Sequence, residues 1–169
     1  MKTKNLVLMA LLIALSFVGS NLRIFGSIAF DSLPGFLAAL LFGPIYGAAI
    51  GLIGHLLTAF NSGLPLSLPL HFVVAVTMAI TMYGYGSAYK ALIKRFSESV
   101  TFILTGVVGT ILNAPVSLLF SMGVLWLIGG SEAALGLLVL LPILTAASIA
   151  NIVLATILFK FLGKHWDKE

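Results

Sequence analysis

Between Asp31 and Lys90 the chain carries no aspartate, glutamate, lysine or arginine, and the same is true from Glu98 to Glu132 and from Glu132 to Lys160. Soluble domains carry about 25% charged residues, which is what lets them face water. Here only 8% of the 169 residues are charged and 60% are hydrophobic, with a mean hydropathy of +1.18. Most of the exterior must therefore face lipid. Inside a bilayer every backbone N–H and C=O has to be satisfied within the protein, so apolar stretches of this kind are expected as helices. The chain has the length of one compact membrane domain, residues 1–169, with none left for a separate soluble unit. It contains no cysteine, which removes disulfide frameworks and thiolate chemistry.

A span needs about 20 apolar residues, at 1.5 Å of rise each across roughly 30 Å of hydrocarbon. The first candidate runs from Leu6 to Leu22. Lys2 and Lys4 before it imitate a signal peptide, but Asn21, Arg23 and Phe25 follow, so the segment is read as a retained helix. Leu33–Phe60 is too long for one span and is split by Gly43-Pro44, because proline disfavours helix at the preceding residue and opens helices well. The expected pieces are Leu33–Phe42 and Ile45–Phe60. After the turn-rich Asn61-Ser62-Gly63-Leu64-Pro65, a fourth helix covers Leu68–Ala88. A fifth covers Val100–Ile128 with Pro115 inside it, and Gly129-Gly130 ends it. Pro142 opens a sixth helix to Phe161, which leaves Ala133–Leu141 as a short external or re-entrant segment. The expected fold is a compact bundle of six transmembrane helices.

Orientation follows from the basic residues, which are retained on the cytoplasmic side. With both termini inside, that side holds Lys2, Lys4, Lys90, Lys94, Arg95, Lys160, Lys164 and Lys168, and the other side only Arg23. The outer side then receives Arg23–Ser32, Asn61–Ser67 and Gly129–Leu141. Basic residues placed this way are a topology signal, and no nucleic-acid partner is expected.

Polar side chains at membrane depth are costly and face interiors or cavities, so they mark candidate sites. Asp31 sits where the second helix begins. As a structural residue it would cap that helix, together with Ser32 and Pro34. As a functional one it would receive ligand hydroxyls or a ring N–H, with Phe30 and Phe36 as flanking stacking surfaces. His55 and His71 lie toward the outer ends of the third and fourth helices, at similar depth. They suit hydrogen bonding to a ligand or between helices; as a metal pair they lack a further ligand beyond Asp31. Gly43, Gly47 and Gly51 continue into His55 at four-residue spacing, a smooth face for close helix contact. Asn113 precedes Pro115, which leaves the Ile111 carbonyl without its helical donor, and Ser117 follows on the same face. Asn151 shares a face with Ser148 and Ala155. Both amides suit interhelical bonding or a neutral polar ligand. His71, Met78 and Tyr85 form a stripe at seven-residue spacing, the usual pattern of core packing.

No energy source is encoded. Gly163-Lys164 is followed by His165 and lacks the glycine-rich loop that holds nucleotide phosphates. The acidic residues lie near interfaces, and no Gly-x-Ser-x-Gly nucleophile elbow occurs. No enzyme activity, metal or cofactor is expected, the alternative being a small membrane enzyme with a histidine-based site. The chain reads as a binder that needs a motor.

On these residues the chain resembles the substrate-binding S components of energy-coupling factor transporters. Ala10 and Ala14, one turn apart in the first helix, resemble the family's Ala-xxx-Ala pattern. The run Phe30-Asp31-Ser32-Leu33-Pro34-Gly35-Phe36 with Gly54-His55-Leu56-Leu57-Thr58-Ala59 resembles S components associated with α-ribazole, a cobalamin-ligand precursor. The resemblance implies a bacterial cytoplasmic-membrane protein that captures a vitamin or nucleoside-like molecule at its outer face. It implies a gate at Arg23–Ser32 and docking through Ala10 and Ala14 on a membrane scaffold subunit powered by two ATPases. Substrate contacts are expected from Phe30, Asp31, Phe36, His55, His71, Asn113 and Asn151.

Overall fold

The computed structural model describes residues 3–21, 23–24, 28–64 and 67–166. Phe25, Gly26 and Ser27 of the expected gate, and Lys2 and Lys168 of the basic set, lie outside the described residues. Helix α1 (Thr3–Asn21) leads into a two-residue antiparallel ribbon, β1 (Arg23–Ile24) against β2 (Ile28–Ala29), with Arg23 opposite Ala29. Then follow α2 (Leu33–Leu41), α3 (Pro44–Asn61), α4 (Leu68–Leu92), α5 (Glu98–Ile111), a π turn (Leu112–Val116), α6 (Ser117–Gly136), a 3-10 turn (Leu137–Leu140) and α7 (Leu141–Trp166). Apart from the ribbon, the architecture is all-helical.

Among the described residues, three helical stretches are long and apolar enough to cross a membrane: Pro44–Asn61, Leu68–Leu92 and the run Glu98–Leu162, with a shorter apolar helix at Asn5–Asn21. This departs from six separate spanning helices in two ways. Helix α2 has only nine residues, about 13.5 Å of rise, which is half a span. The segments expected as a fifth helix, an external piece and a sixth helix follow one another with no loop between them, broken at Gly130 where the backbone leaves the helical region. Gly129-Gly130 ends the helix where the sequence places its end, with Gly130 at φ 84°, a conformation that costs glycine little. Beyond it the chain doubles back, so that α7 packs along α5 and the π turn.

Helix α2 is buried from Pro34 to Leu40. A helix apolar on all sides belongs inside, and α2 is wrapped by α1, α3, α4 and α7. Phe36 is completely buried with its ring 4.9 Å from that of Tyr85, edge to face, and Ile50, Met82 and Ile152 complete this core. α3 returns against α2 at van der Waals distance: a Cβ on Gly47 would lie 2.6 Å from that of Ala39. Pro44 opens α3 as expected, beside Gly86 of α4.

The packing partners fix the helix directions. Gly54 of α3 meets Ser16 of α1, and Asn61 donates to Asn21 at 3.1 Å, so α1 and α3 run parallel. Gly43 lies beside Lys90, so α3 and α4 are antiparallel. Lys160 sits 3.7 Å from Glu98 and over the Phe102 ring. One end of the bundle thus gathers Lys90, Lys94, Arg95 and Lys160. The other carries the β1–β2 ribbon, the α3–α4 turn and the Gly130 break.

The α2–α3 contact makes a testable prediction. Gly47→Ala should cost about 1–3 kcal/mol, because the added methyl meets Ala39 and its backbone, with no flexible neighbour to give way. Gly123→Ala, where a Cβ meets nothing within 4 Å, should be neutral or stabilising by up to about 1 kcal/mol, the helix-propensity gain. Thermal unfolding of both variants in one detergent checks the pair.

Candidate functional site

Because α2 stops halfway, the space beyond its N-terminus is not filled by helix. A cavity of about 240 Å³ opens there, many times the room of a single water and near the lower end of small-molecule pockets, about 300 Å³. Asp31 and Ser32 lie at the α2 end, His55 comes from α3, and Leu70, His71, Val74 and Met78 from α4. The π turn supplies Asn113, α6 supplies Ser117, Leu118 and Ser121, and the far wall is Leu137, Leu140, Leu144, Ala147 and Asn151.

Each polar wall residue has a local reason for its position. Ser32 occupies the N-cap position of α2, but no side chain caps that helix. The capping expected of Asp31 is therefore not made. Its carboxylate instead lies 3.7 Å from His55 Nδ1. His55 Nε2 is 3.4 Å from His71 Nδ1, with the rings 5.5 Å apart. The missing N–H of Pro115 is absorbed by a π turn, a common way of relieving such a defect and a frequent feature of functional sites, and Asn113 lies within that turn. Asn151 is almost wholly buried, and its amide donates to the Ala147 carbonyl at 2.8 Å. Thr77 and Ser117 share a 2.7 Å hydrogen bond that ties α4 to α6 beside the cavity.

Five of the seven expected contact residues, Asp31, His55, His71, Asn113 and Asn151, thus meet in one cavity. The two phenylalanines do not line it. Phe36 belongs to the core under the cavity, since a helix buried on every side has no face left for a ligand. Phe30 is half-buried, and its backbone N–H donates to the Gly19 carbonyl at 3.2 Å, which ties the ribbon to α1. The surfaces available to cover a ring are aliphatic: Leu70, Met78, Leu118, Leu137, Leu140 and Leu144. Leu137 and Leu140 were not expected as site residues; only the glycine pair before them hints that this stretch turns inward. The stripe of His71, Met78 and Tyr85 divides, the first two lining the cavity and Tyr85 entering the core.

Among the described residues, Asp31, His55 and His71 are the only ionisable ones on the wall, and no lysine or arginine lies there. Among the described residues no group of three or more His, Cys, Asp or Glu side chains is arranged to hold a metal ion. The arrangement can bind a small neutral molecule by hydrogen bonds on one side and aliphatic contact on the other.

The family model for the ECF transporter substrate-specific component matches residues 4–163. The chain belongs to this family. No curated protein and no solved structure matches it. Members of the family are the substrate-specific transport subunits of multi-pass membrane importers, and membership carries with it a small-molecule substrate and association with the scaffold and ATPase subunits of an ECF transporter.

The place of Phe36 has a measurable consequence. Phe36→Ala should destabilise the fold by about 3–5 kcal/mol, the usual cost of emptying an aromatic core site. The variant should unfold at markedly lower temperature, whereas Ser121→Ala, on the cavity wall, should unfold close to the parent.

Proposed function

We propose that this S component captures a neutral, nucleoside-like cofactor precursor, with α-ribazole the first candidate, in the cavity beyond α2. The observation that carries this reading is the convergence of Asp31, His55, His71, Asn113 and Asn151 on a single cavity, at the end of the bundle opposite the lysines. An Asp and two Asn side chains suit ribose hydroxyls, and the leucines and Met78 suit the flat face of a base. A wall that carries, among the described residues, one carboxylate and no lysine or arginine disfavours phosphorylated or carboxylated cofactors such as pantothenate. Riboflavin and a queuosine precursor, both uncharged, are the rivals within the class.

In this reading the chain crosses the cytoplasmic membrane six times. α1, α3, α4, α5–α6 and α7 are full crossings, and α2 is a half-length sixth. Both termini and the basic end lie inside, and the ribbon end faces out. The segment 23–32, at the cavity end, is the gate. Ala10 and Ala14 are exposed on α1 among Val7, Leu11 and Val18, a small-residue face suited to close docking of another helix. Partner ATPases acting through that scaffold supply the energy that this chain does not encode.

Titration calorimetry of purified protein with α-ribazole should give saturable binding. Asp31→Ala and His71→Ala should each weaken it about tenfold or more, a loss of at least 1.4 kcal/mol, and Ala147→Phe should abolish it by filling the cavity. Unchanged affinity in all three would refute the site; binding of riboflavin with no response to α-ribazole would refute the substrate. Sidedness is checked in the cysteine-free background. A membrane-impermeant maleimide should label Ser131→Cys in intact cells, and Ser99→Cys only after permeabilisation. The reverse pattern would overturn the orientation.

A further inference from the structure

His71 is 8% exposed, lines the cavity, and leaves its Nε2 buried without a hydrogen-bond partner in the protein. Its Nδ1 faces His55 Nε2 at 3.4 Å, and His55 Nδ1, equally unbonded, faces the Asp31 carboxylate at 3.7 Å. The three side chains therefore stand in a row, with a charge at one end and an unsatisfied nitrogen at the other.

A neutral imidazole has one N–H and one lone pair, so two imidazoles in line have two proton arrangements. In the first, His55 carries its proton on Nδ1, toward Asp31, and His71 Nδ1–H donates to His55 Nε2. That leaves a lone pair on His71 Nε2. In the second, both protons sit on Nε2, and the His55 Nδ1 lone pair faces a carboxylate. The 3.7 Å separation is too long for a good hydrogen bond, but a negative charge at that range in a partly buried site still attracts an N–H and repels a lone pair. The remaining polar wall residues, Ser32, Asn113, Ser117, Ser121 and Asn151, do not ionise. Among the described wall residues, Asp31 is thus the charge that decides between the arrangements.

We infer that Asp31 polarises the His55–His71 pair so that His71 Nε2 presents a hydrogen-bond acceptor to the cavity. The captured molecule must then offer a hydroxyl or N–H donor at that point. This rests on the cavity being the capture site, as proposed above, although the proton arrangement itself does not. His71 becomes a specificity-determining residue, and Asp31 a positioning residue that acts on the ligand through His55. A molecule with only acceptors on the matching edge leaves two lone pairs opposed in a buried site, which is how sites built for one hydrogen-bond partner reject its look-alikes.

The test is nitrogen-15 NMR of histidine-labelled protein in nanodiscs at about pH 8, above the ordinary imidazole pKa of about 6.5. Imidazole nitrogen shifts separate the two N–H forms. The signals of His55, His71 and His165 are assigned with His71→Gln and His165→Gln. The apo protein should show both His55 and His71 protonated on Nδ1. Asp31→Asn, which is nearly isosteric, should remove that preference from both residues together. An Nε2–H form at either histidine in the parent protein, or a change confined to His55 in the variant, would overturn the inference. With α-ribazole bound, the His71 Nε2 signal should move upfield while its Nδ1–H is kept; binding that leaves this nitrogen unmoved would overturn the acceptor role. Absence of α-ribazole binding with the expected apo spectrum would count against the substrate and leave the proton arrangement standing.

Discussion

The structure depends on a half-length helix buried on all sides. Helix α2 brings nine residues into the centre of the bundle and begins beside Asp31. The surrounding helices continue past it, so the bundle is solid at the basic end and hollow at the other. The apolar core under α2, with Phe36, Tyr85 and Met82, provides the floor, and the contact between Gly47 and Ala39 holds α2 and α3 together. A full-length second helix would fill the cavity, and a polar one could not occupy that position. The cavity is a consequence of helix length.

Polarity inside such a bundle has to be accounted for group by group, because lipid offers no hydrogen bonds. Thr77 bonds to Ser117, Thr58 to the Gly54 carbonyl, and Asn151 to the Ala147 carbonyl. The defect at Pro115 is spread over a π turn. Not every buried hydroxyl is settled this way: those of Ser16, Thr101, Thr105 and Ser148 have no hydrogen-bond partner among the described residues. On the cavity wall the two histidines each keep a nitrogen without a hydrogen bond: His55 Nδ1, which faces the Asp31 carboxylate, and His71 Nε2, at the far end of the row. A binding subunit without an energy source can work in this way: the site waits for a partner molecule to complete its hydrogen bonds, and partner proteins drive the cycle.

Much of this was legible in the sequence where one residue type has one physical consequence. The charge-free intervals required a membrane bundle, Gly43-Pro44 divided α2 from α3, and Pro115 disrupted the fifth helix beside Asn113. The depth at which Asp31, His55, His71, Asn113 and Asn151 fall along their helices was enough to group them, since polar residues at equal depth in lipid share an interior. What failed needed knowledge of which face points where. Phe36 looked available for stacking because its neighbour Asp31 is polar, but α2 has no free face. Asp31 looked like a helix cap, yet its carboxylate is beside His55. Gly129-Gly130 was legible as the end of a helix, but not that the chain beyond it turns so that Leu137 and Leu140 line the cavity. Apolar periodicity cannot distinguish leucines facing lipid from leucines facing a ligand.

The central claim is that the hollow half of the bundle is where the small molecule is held. A structure of the protein bound to its captured molecule tests this most directly. The account predicts density for one molecule beyond the N-terminus of α2, within hydrogen-bond distance of His71 and against Leu137 and Leu144. Density in the apolar groove between α5 and α7, or a bound state in which side chains have closed the cavity with the ligand elsewhere, would contradict it.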